Sequence, residues 1–201
     1  MHQWFVTYSA GGLAARKTFE VDAGSAPDAV ALGDTLATAW LRQHGQEPGD
    51  LRGTPGSGAA RLERCQMAPP SWMGIFGRRD GDLTRVTTAP LVEAILENKG
   101  KVPAPWNSTD DLPWRLDLRN HSPSGFEWGY LGSGPAQLAL AACAYALGDE
   151  RAESVYQDVK DQLVAGLPRQ EWMIRVSWLH EVAGEIEAKR AAELRGKDGA
   201  S

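Results

Sequence analysis

Cysteine is scarce in this chain. Cys65 and Cys143 are its two cysteines and no Cys-x-x-Cys occurs, which excludes a disulfide scaffold and a zinc ribbon. Long apolar runs are also lacking. The longest, residues 138–147, reaches about half of the ~20 residues a bilayer span needs, so no membrane association is expected. Positive charge is short as well: 21 Lys and Arg stand against 26 Asp and Glu, for a net charge of −5. Phosphate neutralisation needs clustered cations, and the basic pairs here (Arg16-Lys17, Arg78-Arg79, Lys189-Arg190) sit among acidic neighbours, so nucleic acid is not suggested as a partner. The start MHQWFVTYS has neither a basic nor an apolar signal region. With two lone cysteines, that points to a soluble, cytoplasmic protein. Metal signatures are missing too. His2, His44 and His180 have no ligand spacing with His121, so neither a metal nor a cofactor is expected.

What is present reads as an α+β protein. HQWFVTYS (2–9) and RKTFEV (16–21) flank Gly11-Gly12, a hairpin signal. Ser25 and Asp28 then cap a helix with Pro27 in its first turn, Gly45 as its stop, and a stripe of Ala29, Leu32, Leu36 and Trp40. Residues 46–59 read as a linker, and 61–67 as a strand returning to the hairpin. Residues 68–82 read as irregular, and with Trp72, Met73, Ile75 and Phe76 they should be pinned against a domain surface or cover a site. Thr88 is expected to cap a short helix, LVEAILEN, that stops at Gly100. RLDLR (115–119) alternates strictly and predicts a half-buried strand, and 126–131 a strand or extended segment. The chain then turns helical. Helix 135–147, apolar on nearly every face, should be the central buried one. Amphipathic helix 150–165, a short strand at 171–176 and a final helix from Ser177, with Trp178, Val182 and Ile186 as its apolar stripe, follow.

The stretch HSPSGFEWGYLGSGPAQLALAACAYAL, residues 121–147, carries most of the chemistry-bearing residues. His121 and Glu127 are candidate acid–base groups, with Asp117 and Asn120 close enough in sequence to orient the imidazole. His121-Ser122-Pro123 is also good turn chemistry. Trp128 and Tyr130 should share a face, as core or as a stacking wall. Gly132, Ser133 and Gly134 lead into Pro135, a helix start whose free N–H groups suit an anion. The phosphate-loop, dinucleotide and nucleophile-elbow patterns all fail, for want of a Lys-Ser/Thr, a third glycine at Gln137 and a glycine at Leu131. Gly132 is the expected left-handed residue of the turn, since Pro135 restricts Gly134.

Over residues 115–180 the pattern His-Ser-Pro-x-Gly-Phe-Glu-Trp-Gly-Tyr-x-Gly-Ser-Gly-Pro-Ala-Gln-Leu-Ala-Leu resembles a family of small bacterial, plasmid and phage proteins of unknown function. Leu131 departs from it, where members more often have glycine. The resemblance implies no activity and no catalytic residues. The expected organisation is a hairpin-helix module (1–67), an irregular connection with one short helix (68–114), and a mainly helical domain with a small sheet (115–201). A dense polar and aromatic segment without a complete catalytic set reads as a binding module for a partner protein or a small anionic ligand. Its candidate residues are His121, Ser122, Glu127, Trp128, Tyr130, Gly132, Ser133 and Gly134. The resemblance would make it an accessory of a bacterium or mobile element, with inhibition of a host defence as a special case. The alternative is an enzyme acting on a phosphorylated or nucleotide-like molecule. Oligomeric state is left open.

Overall fold

A computed structural model describes residues 1–10, 15–46, 48, 51, 60–91 and 110–198. The chain is α+β and divides into two compact units, Met1–Ala68 with Gly148–Arg151, and Pro69–Leu147 with Ala152–Ser201.

In the first unit, β1 (His2–Ala10) pairs antiparallel with β2 (Ala15–Ala23), from His2 opposite Ala23 to Ala10 opposite Ala15. The Gly11-Gly12 turn lies outside the described residues. The returning strand is β3 (Ala60–Met67), which joins the other edge of β1 to give the order β2-β1-β3. Strand periodicity puts Trp4, Val6 and Tyr8 on one face, and α1 (Ala26–Gln43) packs there. Ser25 caps α1 as expected, accepting from the Asp28 N–H, and Gly45 ends it at φ 70°.

The stripe expected on α1 is rotated. Ala29, Gly33, Ala37 and Leu41 are the buried residues, while Leu32 and Leu36 are 46% and 41% exposed. The small residues win because they let the helix axis come close to the sheet: a Cβ on Gly33 would lie 2.7 Å from Val6 Cγ1 and 2.9 Å from the Tyr8 hydroxyl. That hydroxyl donates to Asp34 Oδ1 at 2.6 Å, tying the same turn of the helix to β1.

In the second unit, residues 68–82 are not an irregular cover. β4 (Met73–Asp80) and β5 (Leu83–Pro90) form a hairpin, with Gly81 at φ 61° in the two-residue loop between Asp80 and Leu83. Thr88 therefore lies inside a strand and is buried, rather than capping a helix. The helix expected after it, with its Gly100 stop, lies outside the described residues apart from Leu91. The expected short strand at 171–176 is β6 (Glu171–Arg175), which pairs with β4 to give the order β5-β4-β6. Gly77 is needed in β4 because the Trp172 indole lies over it, where any Cβ would overlap the ring.

RLDLR is no strand either. Arg115 takes φ 56°, and Leu118 and Arg119 donate back to its carbonyl, so 115–119 is a turn. The alternation breaks at its start: Arg115 is buried and Leu116 exposed, while Leu118 stays half-buried against the core. Residues 126–131 form no strand: 126–128 are irregular and 129–131 bend, with Gly129 at φ 80°.

The core of the second unit is α2 (Ser133–Leu147), of which every residue from Gly134 to Leu147 except Tyr145 is buried. Around it lie Ile75, Val86 and Ile174 of the sheet, Val155 and Val159 of α3 (Asp149–Gln162), and Leu179 and Ala183 of α4 (Val176–Asp198). In α4 the expected Trp178 is exposed and Leu179 takes the inward place. Neither cysteine forms a disulfide, and Cys143 lies deep in α2. No helix among the described residues is long and apolar enough to cross a membrane.

Two substitutions on α1 test the rotated stripe. Gly33→Ala should cost about 1–3 kcal/mol, because its new methyl must displace Val6 and Tyr8. Leu32→Gln should cost under about 1 kcal/mol despite removing the larger apolar group. Chemical denaturation of the two variants reads the difference; equal losses would restore the 29-32-36-40 face.

Candidate functional site

Most of the motif side chains are held by partners within the fold. Gln137 is fully buried in the first turns of α2, where an unpaired amide would cost its whole desolvation. Its Oε1 accepts from the backbone N–H of His121 at 2.8 Å and of Ser122 at 3.3 Å, and its Nε2 donates to the Trp114 carbonyl at 2.6 Å. That one side chain fixes the turn 121–125 to the core. Ser122 is buried in the turn with its Oγ 3.4 Å from that of Ser124. The His121 ring bonds through Nε2 to the Tyr156 hydroxyl at 3.0 Å. Burial, and then the positive charges of Arg119 and Lys160, hold its pKa below the ordinary 6.5. Asp117, a candidate for orienting the imidazole, makes a two-pronged pair with Arg115.

Glu127 faces β4. Arg79 donates to both of its carboxylate oxygens, and this bond, with the carboxylate charge, raises the guanidinium pKa further above its ordinary value. The same guanidinium carbon lies 5.1 Å from the centroid of Trp128. Trp128 is buried, donates from Nε1 to the Arg169 carbonyl at 3.2 Å, and meets Trp172 edge-on at 5.3 Å. Tyr130 does not share its face: it is 47% exposed, with its ring against Gly132. Ser133 is the exposed first residue of α2.

The turn also differs from expectation. Gly132 is not left-handed; Gly129 is, at φ 80°. Gly134 is instead the tight position, since a Cβ there would lie 2.5 Å from Glu127 Cβ and 3.3 Å from its backbone nitrogen. Glu127 thus packs onto the start of α2 while His121 is tied one turn further along, and neither hydrogen-bonds to the other. No group of three metal-ligating side chains is found among the described residues.

An open cleft among the described residues lies elsewhere, with a volume of about 360 Å³, between the edge of β5 and the segments 111–114 and 124–126. Leu83, Thr84 and Arg85 form one wall, and Asp111, Trp114 and Phe126 the other. Leu83 is 78% and Trp114 43% exposed. The Trp114 ring tilts against Phe126 at 6.2 Å between centroids. Arg85 Nε donates to Asp111 Oδ1 at 3.0 Å at the rim, and Thr84 Oγ1 donates to the Phe126 carbonyl at 3.0 Å. Of the lining residues, Ser124, Gly125 and Phe126 fall in the quoted stretch. The Asp80-Gly81 dipeptide, a hairpin signal before a β-branched run, is what could have located β5 and with it the cleft.

Residues 98–185 match the model of DUF6166, a family of unknown function. The match extends the 115–180 span at both ends; it includes the wall 111–126 of the cleft and not the wall 82–86. No curated protein and no solved structure matches the chain.

Two outcomes follow from this geometry. Gly134→Ala should destabilise by about 1–3 kcal/mol, since it strikes Glu127 Cβ and main chain. Gly132→Ala should cost less, because the exposed Tyr130 ring can swing away; the opposite ranking in denaturation would contradict the packing. His121 supplies a pH test. Its folded-state pKa is depressed, so its contribution to stability is present above about 6.5 and is lost as pH falls through the folded value. Unfolding free energy should therefore fall between about pH 7.5 and pH 5 by more in the wild type than in His121→Gln. An identical pH profile in the two would refute it.

Proposed function

We propose that this chain is a binding module and that its second unit receives a partner in the cleft beside β5. The observation that carries this reading is a contrast. His121, Glu127, Trp128 and Gln137 are engaged inside the fold, whereas Leu83 and Trp114 hold apolar surface open beside polar backbone. An apolar recess with a few fixed polar groups is what recognition of a partner requires. Asp82 and Asp111 against the single Arg85 weigh against an anion as the occupant and favour a protein segment or a neutral polar molecule. Tyr130 and Ser133, the exposed ones among the candidate residues, are a secondary contact in this reading.

A panel of small fragments (indole, phenol, acetamide, acetate) titrated at millimolar concentration, with amide and indole NMR shifts as the readout, tests the site without presuming its ligand. Shifts should converge on Leu83, Thr84, Val86, Leu112 and the Trp114 indole, and Trp114→Ala should abolish that cluster while leaving the remaining spectrum in place. Shifts that gather at Tyr130–Ser133 or around His121, or that scatter, would contradict the proposal.

A further inference from the structure

The outer edge of β5 is paired along only part of its length. Thr88 N–H donates to the Asp110 carbonyl and Leu112 N–H to the Val86 carbonyl, both at 2.9 Å, with Thr87 bridging Asp111 between them. Residues 110–112 thus run as a short antiparallel partner. In an antiparallel ladder the outward backbone groups recur every second residue, so those of Val86 and Thr84 lie on the same edge. The hairpin agrees: Asp80 opposite Leu83 closes the two-residue loop, and Thr84 opposite Arg79 then bonds outward. Continued at the same register, the partner would place Trp114 opposite Thr84. The chain leaves before that point. Pro113 follows Leu112, and the Trp114 carbonyl is held by Gln137 Nε2 instead. The Thr84 N–H and C=O are left facing the cleft with no hydrogen-bond partner among the described residues, between the Leu83 side chain and the Trp114 and Phe126 rings.

We infer that this cleft binds a short extended peptide segment that continues the 110–112 strand along the β5 edge, pairing its main chain with Thr84 and placing an apolar side chain between Leu83 and Trp114. The inference rests on the cleft being the binding site. The occupant follows from the groups displayed. A donor and an acceptor spaced as on a strand edge are matched by another main chain, and a recess beside them selects one side chain in two. The exposed Arg85–Asp111 pair at the rim leaves room for a polar residue on either side of that apolar position.

The probe is a random decapeptide display library selected on the full chain. Recovered peptides are synthesised in two forms, unmodified and N-methylated at one residue at a time. Binding should shift the Thr84 amide and slow its hydrogen exchange. One or two N-methyl positions should weaken binding by about tenfold, the loss of a backbone hydrogen bond in a desolvated site. Peptides indifferent to N-methylation at every position, or mapping away from Thr84, would overturn the inference. If fragments fill the cleft and no peptide is recovered, the peptide is wrong and the site stands. If neither enters the cleft, both fall.

Discussion

One enclosed side-chain amide organises the second unit. Gln137 sits on a helix with almost no polar surface, so its oxygen and nitrogen must find partners inside the protein, and they find three backbone groups. Each of those groups belongs to a segment without secondary structure of its own. The amide therefore does for 114 and 121–122 what a ladder does for a strand. It also sets the shape of the cleft, since the carbonyl it captures belongs to the residue that would otherwise run on beside β5. A bonded amide in low dielectric is worth more than its partners exchanged for water, and removing it would strand all three at once.

The residues around it form a second linked set. Arg79 joins β4 to Glu127 by two hydrogen bonds and covers the Trp128 ring, and Trp128 meets Trp172 from the neighbouring strand of the sheet. Gly134 and Gly77 are the clearances that allow these contacts, one beneath Glu127 and the other beneath Trp172. Of the His, the Glu and the two aromatic rings before the apolar helix, His121, Glu127 and Trp128 fasten an irregular segment to a helix and a sheet, while Tyr130 stays exposed.

The elements that could be read from sequence are those whose cause is local. The hairpin β1–β2, the Ser25 cap, the Gly45 stop and the buried character of α2 each depend on residues within a few positions. The misread ones depend on distant partners. Glycine in β4 looked like loop chemistry because Trp172, which requires it, is far downstream. RLDLR has perfect alternation, yet Arg115 takes a positive φ and turns the chain, burying itself and exposing Leu116 while Leu118 keeps its core contact. On α1 the larger side chains drew attention, but closeness to the sheet favours the small face. Sequence spacing identified the motif but not the partners of its side chains, and the cleft is assembled from three segments that no local pattern connects.

The central claim is that the buried Gln137 amide holds the turn at 121–122 as firmly as regular structure would. Native-state hydrogen exchange of the His121 and Ser122 amides measures this directly. The account predicts that both exchange only through openings as rare as those exposing the amides of α2, although neither lies in a helix or strand. Exchange at the rate of an exposed turn, while α2 stays protected, would contradict it.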